Sequence, residues 1–130
     1  MPEKARHFLD NWYNYMAAPD PALLRNIVAK DATILSPAYY SPKTSQSYVT
    51  AILTAVTNGL QDFTYTKEWI DGREIILEFE ASIGKAKLKG IDRIKVDDDG
   101  RMSEIEVLIR PLNGLVALAE HVKASLTAGK

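Results

Sequence analysis

The chain contains no cysteine. Disulfides, thiolate metal sites and cysteine nucleophiles are therefore all excluded. Histidine is scarce: only His7 and His121 occur, and neither stands in a His-x-x-x-His or Glu-x-x-His arrangement. Nothing supports a zinc or iron centre, and both read as surface residues. Neither sign of charge dominates, with a formal net charge of −1 at pH 7, and the Lys and Arg residues are spread among acids. No basic field exists to hold a polyanion, so a nucleic-acid partner is not expected. Long apolar runs are lacking too. None approaches the roughly 20 residues of a membrane span, and the N-terminus lacks a secretory pattern. The expected compartment is the cytoplasm, with no membrane partner. There is no phosphate-cradling glycine loop and no nucleophile elbow. The acidic run Asp97-Asp98-Asp99-Gly100 lacks the ligand spacing and final Glu of a calcium loop, and reads as a solvated turn. No metal and no cofactor is expected.

What is present is an ordinary globular composition. The 130 residues, 46% hydrophobic and 25% charged, are expected to form one domain over 1–130 with a core of its own. From Glu3 to Met16, Ala5, Phe8, Leu9, Trp12, Tyr15 and Met16 recur at helical spacing. Asp20 is a natural N-cap and Pro21 suits the first position of a short second helix carrying Leu24, Ile27 and Val28. A brief strand over Asp31–Ser36 ends at Pro37. A third helix, opened at Ser41-Pro42 or Thr44-Ser45, carries Tyr48, Val49, Ile52, Leu53 and Val56 towards Asn58-Gly59.

Beyond Gly59 the apolar period changes from 3.6 to 2. Phe63 to Ile70 reads as a strand turned at Asp71-Gly72. Ile75, Leu77, Phe79, Ala81 and Ile83 share a face of the next strand. Leu88 to Val96 and Met102 to Arg110 complete a meander, and Pro111 to about Leu126 reads as a C-terminal helix. Helices first and a meander last give an α+β fold: a curved antiparallel sheet wrapped on the N-terminal helices.

One residue breaks the pattern. Strand parity puts Asp92 on the face of Leu88, Gly90, Ile94 and Val96, while Lys89, Arg93 and Lys95 take the other. A carboxyl among apolar neighbours loses hydration, which raises its pKa and fits it to donate a hydrogen bond or carry a proton. The alternative is an inward acid satisfied by a backbone amide or a nearby arginine. Arg110, at the end of the last strand, reads either as an ion-pair partner of Glu80 or Glu106 or as a contact for a ligand carboxylate at a pocket rim.

The element order is joined by local motifs: the aromatic first helix, Asp20 before Asp31-Ala32-Thr33 and Ser36-Pro37, Gly90-x-Asp92, Asp99-Gly100-Arg101 and Arg110-Pro111. Together they resemble the nuclear transport factor 2-like superfamily, in its SnoaL-like branch, over nearly the whole chain. The resemblance implies a cone-shaped domain with an interior pocket for a small, largely apolar molecule, and often a homodimer formed through the sheet. Ketosteroid isomerases of this superfamily use a helix-one tyrosine, a base before the Pro that follows helix two, and an acid on the Asp92 strand. Here those positions hold Trp12, Ser36 and Asp92. Trp12 cannot exchange a proton and Ser36 is no base unaided, so steroid isomerisation by that route is not expected. A polyketide-cyclase-like acid–base role at Asp92 stays open. The Asp-Arg-Asp arrangement of limonene epoxide hydrolases has no counterpart in Glu78, Glu80 and Val107.

The aromatics Trp12, Tyr13, Tyr15, Tyr39, Tyr40, Tyr48, Phe63, Tyr65, Trp69 and Phe79 can line such a pocket or simply fill the core. Trp12, Tyr15, Tyr39 and Tyr48 are the expected wall residues, since helices one and three and the loop between strand and helix usually frame the opening. The expected site is thus Asp92 as the acid–base residue, with Trp12, Tyr15, Ser36, Tyr39, Tyr48 and Arg110 contacting the ligand. Two functions compete: an isomerase- or cyclase-like protein, and a non-catalytic binding or dimerisation module.

Overall fold

A computed structural model describes residues 3–39 and 41–128, so Tyr40 lies outside the described residues. The elements run α1 (Glu3–Ala17), α2 (Pro21–Ile27), β1 (Val28–Leu35), β2 (Lys43–Thr44), α3 (Gln46–Gly59), β3 (Gln61–Asp71), β4 (Glu74–Ile83), β5 (Ala86–Val96), β6 (Met102–Arg110) and α4 (Leu112–Ala128). Local chemistry sets the helix starts. The Asp20 carboxylate accepts from the Ala22 amide at 3.0 Å and caps α2. The Ser45 hydroxyl does the same for α3 through the Tyr48 amide at 3.2 Å, which settles the two openings in favour of the second.

The six strands form one open curved sheet in the order β2-β1-β6-β5-β4-β3. The expected curved sheet with its antiparallel meander is present, and it is mixed at one pair. β1 runs parallel to β6, with Ile34 beside Ile105, while the remaining pairs are antiparallel. The cause is topological: α3 and the hairpins β3–β5 intervene, so β6 returns beside β1 in the same sense rather than through a turn. β1 also begins at Val28 rather than Asp31, because Ile27 hands the chain straight into extended backbone at Val28 (φ −106, ψ 129). The two-residue β2 extends the sheet beyond β1, with Thr33 and Thr44 opposite each other and their hydroxyls 2.8 Å apart.

The β3–β4 turn is Gly72-Arg73, since Asp71 pairs with Glu74, and Gly72 takes the left-handed φ of 62° that a residue without Cβ adopts at little cost. β3 carries register shifts between Gln61 and Thr64 and between Tyr65 and Lys67. An extra residue on one strand bends it and deepens its twist, and β3 forms one side of the trough that results.

The trough is covered by α1, whose Phe8, Leu9, Trp12 and Tyr15 are buried with Ile75, Leu77, Ile94 and Ile105 of the sheet. Each such side chain contributes roughly 1.5–3 kcal/mol by leaving water. A second cluster, Phe79, Ala81, Leu88 and Leu118, joins α4 to the other end of the sheet. His121 is corrected from a surface residue: it is half-buried against α3, its ring occupying the space a Cβ on Gly59 would need. Among the described residues, no helix is long and apolar enough to cross a membrane.

Candidate functional site

Between the concave sheet and the helices lies a cavity of about 650 Å³, walled by α1, the segment after β1, α3, the four strands β3–β6 and α4. Its walls are mostly apolar: Ile52, Leu53 and Val56 from α3, Phe63 and Phe79 from the sheet, and Leu115, Leu118 and Val122 from α4. Asp92 stands on this wall, between Leu77 of β4 and Val107 of β6. It is the one buried polar or charged residue among those described, 7% exposed. Burial, which penalises the carboxylate, pushes its pKa from 3.8 up to about 7, against a smaller downward pull from Tyr65. The acid is therefore shared between its two protonation states near neutrality.

Gly90, two residues before Asp92 on the same face, makes room for the site. A Cβ there would fall 2.5 Å from Cζ of Phe79 and 2.7 Å from the Leu108 carbonyl oxygen. The Phe79 ring fills the place of the missing side chain, and two further aromatics lean on it. Phe63 stacks on it at 5.0 Å between centroids, and Tyr65 meets it edge-on at 6.4 Å. Tyr65 thereby sits two strands from Asp92 with its hydroxyl turned towards the acid.

That hydroxyl links the site's polar groups. The Trp12 indole N–H donates to Tyr65 Oη at 2.7 Å, and Tyr65 O–H donates to Asp92 Oδ2 at 3.4 Å. The first distance is that of a good hydrogen bond; the second is long for an O–H donor. Burial and the negative partner Asp92 push the tyrosine's own pKa well above its usual value, so Tyr65 remains a neutral phenol. Oδ1 of Asp92 has no hydrogen-bond partner among the described residues. Among the described residues, no side-chain oxygen sealed from solvent lacks one, so Oδ1 opens on the cavity. The Trp12–Tyr65 pair contacts one carboxyl oxygen and leaves the other facing the cavity.

Of the expected site residues, Trp12, Ser36, Tyr39, Tyr48 and Asp92 line the cavity. Two placements are corrected. Tyr15 is 1% exposed and lies in the main core, its hydroxyl directed to Thr57 Oγ1 at 3.4 Å. The face of α1 turned to the cavity runs instead through Trp12, Tyr13 and Met16. Arg110 is exposed and away from the cavity wall. Its register neighbour is Lys89, on the outer face, and among the described residues it pairs with neither Glu80 nor Glu106. Arg93 takes Glu106 at 3.6 Å. Ser36 reaches the wall, but its Oγ accepts from the Ala38 amide at 3.0 Å and serves the local turn. Among the described residues, no group of three His, Asp or Glu side chains is arranged to hold a metal ion.

Sequence reasoning missed the pairing of Tyr65 with Asp92 and the wall supplied by α4. Tyr65 was one aromatic of many, and its reach to Asp92 runs across β4, where it faces Phe79.

The chain is similar over most of its length to solved structures. A steroid delta-isomerase from Pseudomonas aeruginosa is 37% identical, with 96% of this chain and 93% of that one covered at a TM-score of 0.91. An uncharacterised bacterial protein with a cystatin-like fold from Silicibacter pomeroyi is 26% identical, covering 92% and 85% at a TM-score of 0.87. A nuclear transport factor 2-like protein of unknown function from Mesorhizobium loti, 15% identical over 84% and 93% with a TM-score of 0.74, shares the fold. No protein-family profile matches the chain, and no curated protein does.

Proposed function

The chain belongs to the nuclear transport factor 2-like superfamily, and from that premise we propose that it binds a small, largely apolar molecule in the cavity and moves a proton on it through Asp92. The observation that carries this reading is a buried carboxyl, with its pKa raised to about 7, facing an apolar cavity through one free oxygen. A cavity of about 650 Å³ falls within the range of roughly 300–1,000 Å³ that drug-sized ligands occupy. A general acid or base works best when its pKa lies near the working pH, because both the reactive form and the driving force are then available.

The chemistry is that of a single acid. As a carboxylate, Asp92 takes a proton from an activated C–H next to a carbonyl; the C–H pair enters the conjugated system as the O–H bond forms. As a carboxylic acid it returns that proton to another carbon, and the double bond shifts. This isomerase- or cyclase-like scheme needs no second base. Trp12 and Ser36 offer none: the indole N–H is engaged by Tyr65 and the Ser36 hydroxyl oxygen by a backbone amide.

A second reading, a non-catalytic binding module, draws on that same engagement of Trp12 and Ser36. The two are separated by a β,γ-unsaturated cyclic ketone of steroid size, followed by the absorbance of its conjugated isomer and by Trp12 fluorescence in a Trp69→Phe background. The expected outcome is conversion by the wild-type chain, reduced about 10²–10⁴-fold in Asp92→Asn, with binding retained in both. Binding without conversion in the wild type favours the module. Absence of binding removes both readings.

A further inference from the structure

The rim of the cavity differs from its interior in charge. Asp92 is the one acid on the wall, and it is buried. Two cations also line the cavity, Lys43 of β2 and Lys123 of α4, and both are exposed. Being exposed, they border the cavity where it meets water, as does the lining residue Tyr39, 65% exposed. Lys89 and Lys95 on the outer face of the sheet are matched by Glu78 and Glu104 at 3.7 and 3.6 Å. Among the described residues, neither Lys43 nor Lys123 has a carboxylate partner.

Given the proton-transfer site proposed above, on which this inference rests, we infer that the ligand is an amphipathic anion. Its apolar body and one carbonyl or hydroxyl point down to Asp92, and a carboxylate is held at the mouth by Lys43 and Lys123. The polarity of the cavity fixes that orientation. A carboxylate at the floor would meet a second acid in a water-poor space, where a like charge is costly. At the mouth it keeps part of its hydration and gains two ammonium groups. The lysines also raise the local concentration of anions and so hasten their capture at low salt.

The test uses 4-(6-hydroxy-2-naphthyl)butanoate and its uncharged butanamide, titrated against the wild-type chain and a Lys43→Gln/Lys123→Gln variant. The two substitutions lie on the surface and leave the core intact. At low ionic strength the carboxylate is expected to bind about five-fold more tightly than the amide, the scale of two exposed ion pairs. The preference is expected to vanish in the double variant and to shrink steeply at about 0.5 M salt, where screening is short-ranged. Equal affinity of the two probes for the wild type, or an unchanged preference in the double variant, overturns the anionic ligand while leaving the Asp92 reading in place. Failure of both probes to bind the wild type overturns both.

Discussion

The free energy of unfolding should fall as the pH rises from 4 to 7, and Asp92→Asn should remove most of that fall. The folded chain holds the Asp92 proton until the pH reaches about 7, whereas an unperturbed carboxyl releases it near 3.8. Between those values the native state binds more protons than the unfolded state, so stability declines with pH. Its contribution is complete below 3.8, drains away through the window, and is gone above about 7. At about 1.36 kcal/mol per pH unit, the loss is on the order of 4 kcal/mol, a large share of the total for a domain of this size. Two other carboxyls act in the opposite sense. Hydrogen bonds from Tyr13 and Arg6 hold Glu68 below its usual pKa, and Arg73 does so for Asp98. Both are solvated and titrate at the acid end, and subtracting the Asp92→Asn curve from the wild-type curve cancels them. Urea unfolding at pH 4 to 8 measures the difference. The variant should be the more stable chain above pH 7, where the wild type carries a buried charge. Parallel curves would mean that the carboxyl is hydrated in the folded state.

Gly90→Ala should damage both stability and binding. The added carbon would arrive 2.5 Å from Cζ of Phe79 and 2.7 Å from the Leu108 carbonyl oxygen. The first contact belongs to a ring packed on Phe63 and Tyr65. The second belongs to the backbone of a paired strand, where Ile91 faces Leu108. Neither gives way alone. Overpacking of this kind costs roughly 1–3 kcal/mol, and the displaced ring has only the cavity to enter. The expected result is a lower urea midpoint at unchanged m-value, together with weaker binding of apolar ligands. A variant as stable as the wild type would show that the sheet is less tightly closed over Gly90 than the contacts imply. Because Gly90 carries no polar group, a loss of binding here reports the shape of the cavity and not its chemistry.

Strand parity alone was enough to turn Asp92 inward with Leu88, Ile94 and Val96, because a period of two assigns faces without knowledge of the partner strands. The buried stripe of α1 and the Asp20 cap were legible for the same reason: each is a local pattern. The parallel pairing of β1 with β6 was not, since alternation carries no information about which strand lies alongside or in which sense. Tyr15 shows the limit on a helix. Its spacing from Trp12 places both on the apolar side, yet only the packing of α1 decides that Trp12 borders the cavity and Tyr15 the solid core. The contact between Tyr65 and Asp92 joins strands separated by β4, and which strands neighbour one another is invisible in residue types. The ring of His121 reads as polar in sequence, but Gly59 on a helix remote in the chain leaves it a seat.

A carbon-detected NMR titration of the Asp92 side-chain carboxyl goes furthest towards deciding whether this acid is the working group. The account predicts a midpoint near 7, well above that of the solvated aspartates, and a chemical-shift response when an apolar ketone enters the cavity. A midpoint close to 4, with no response to any such ligand, would contradict it.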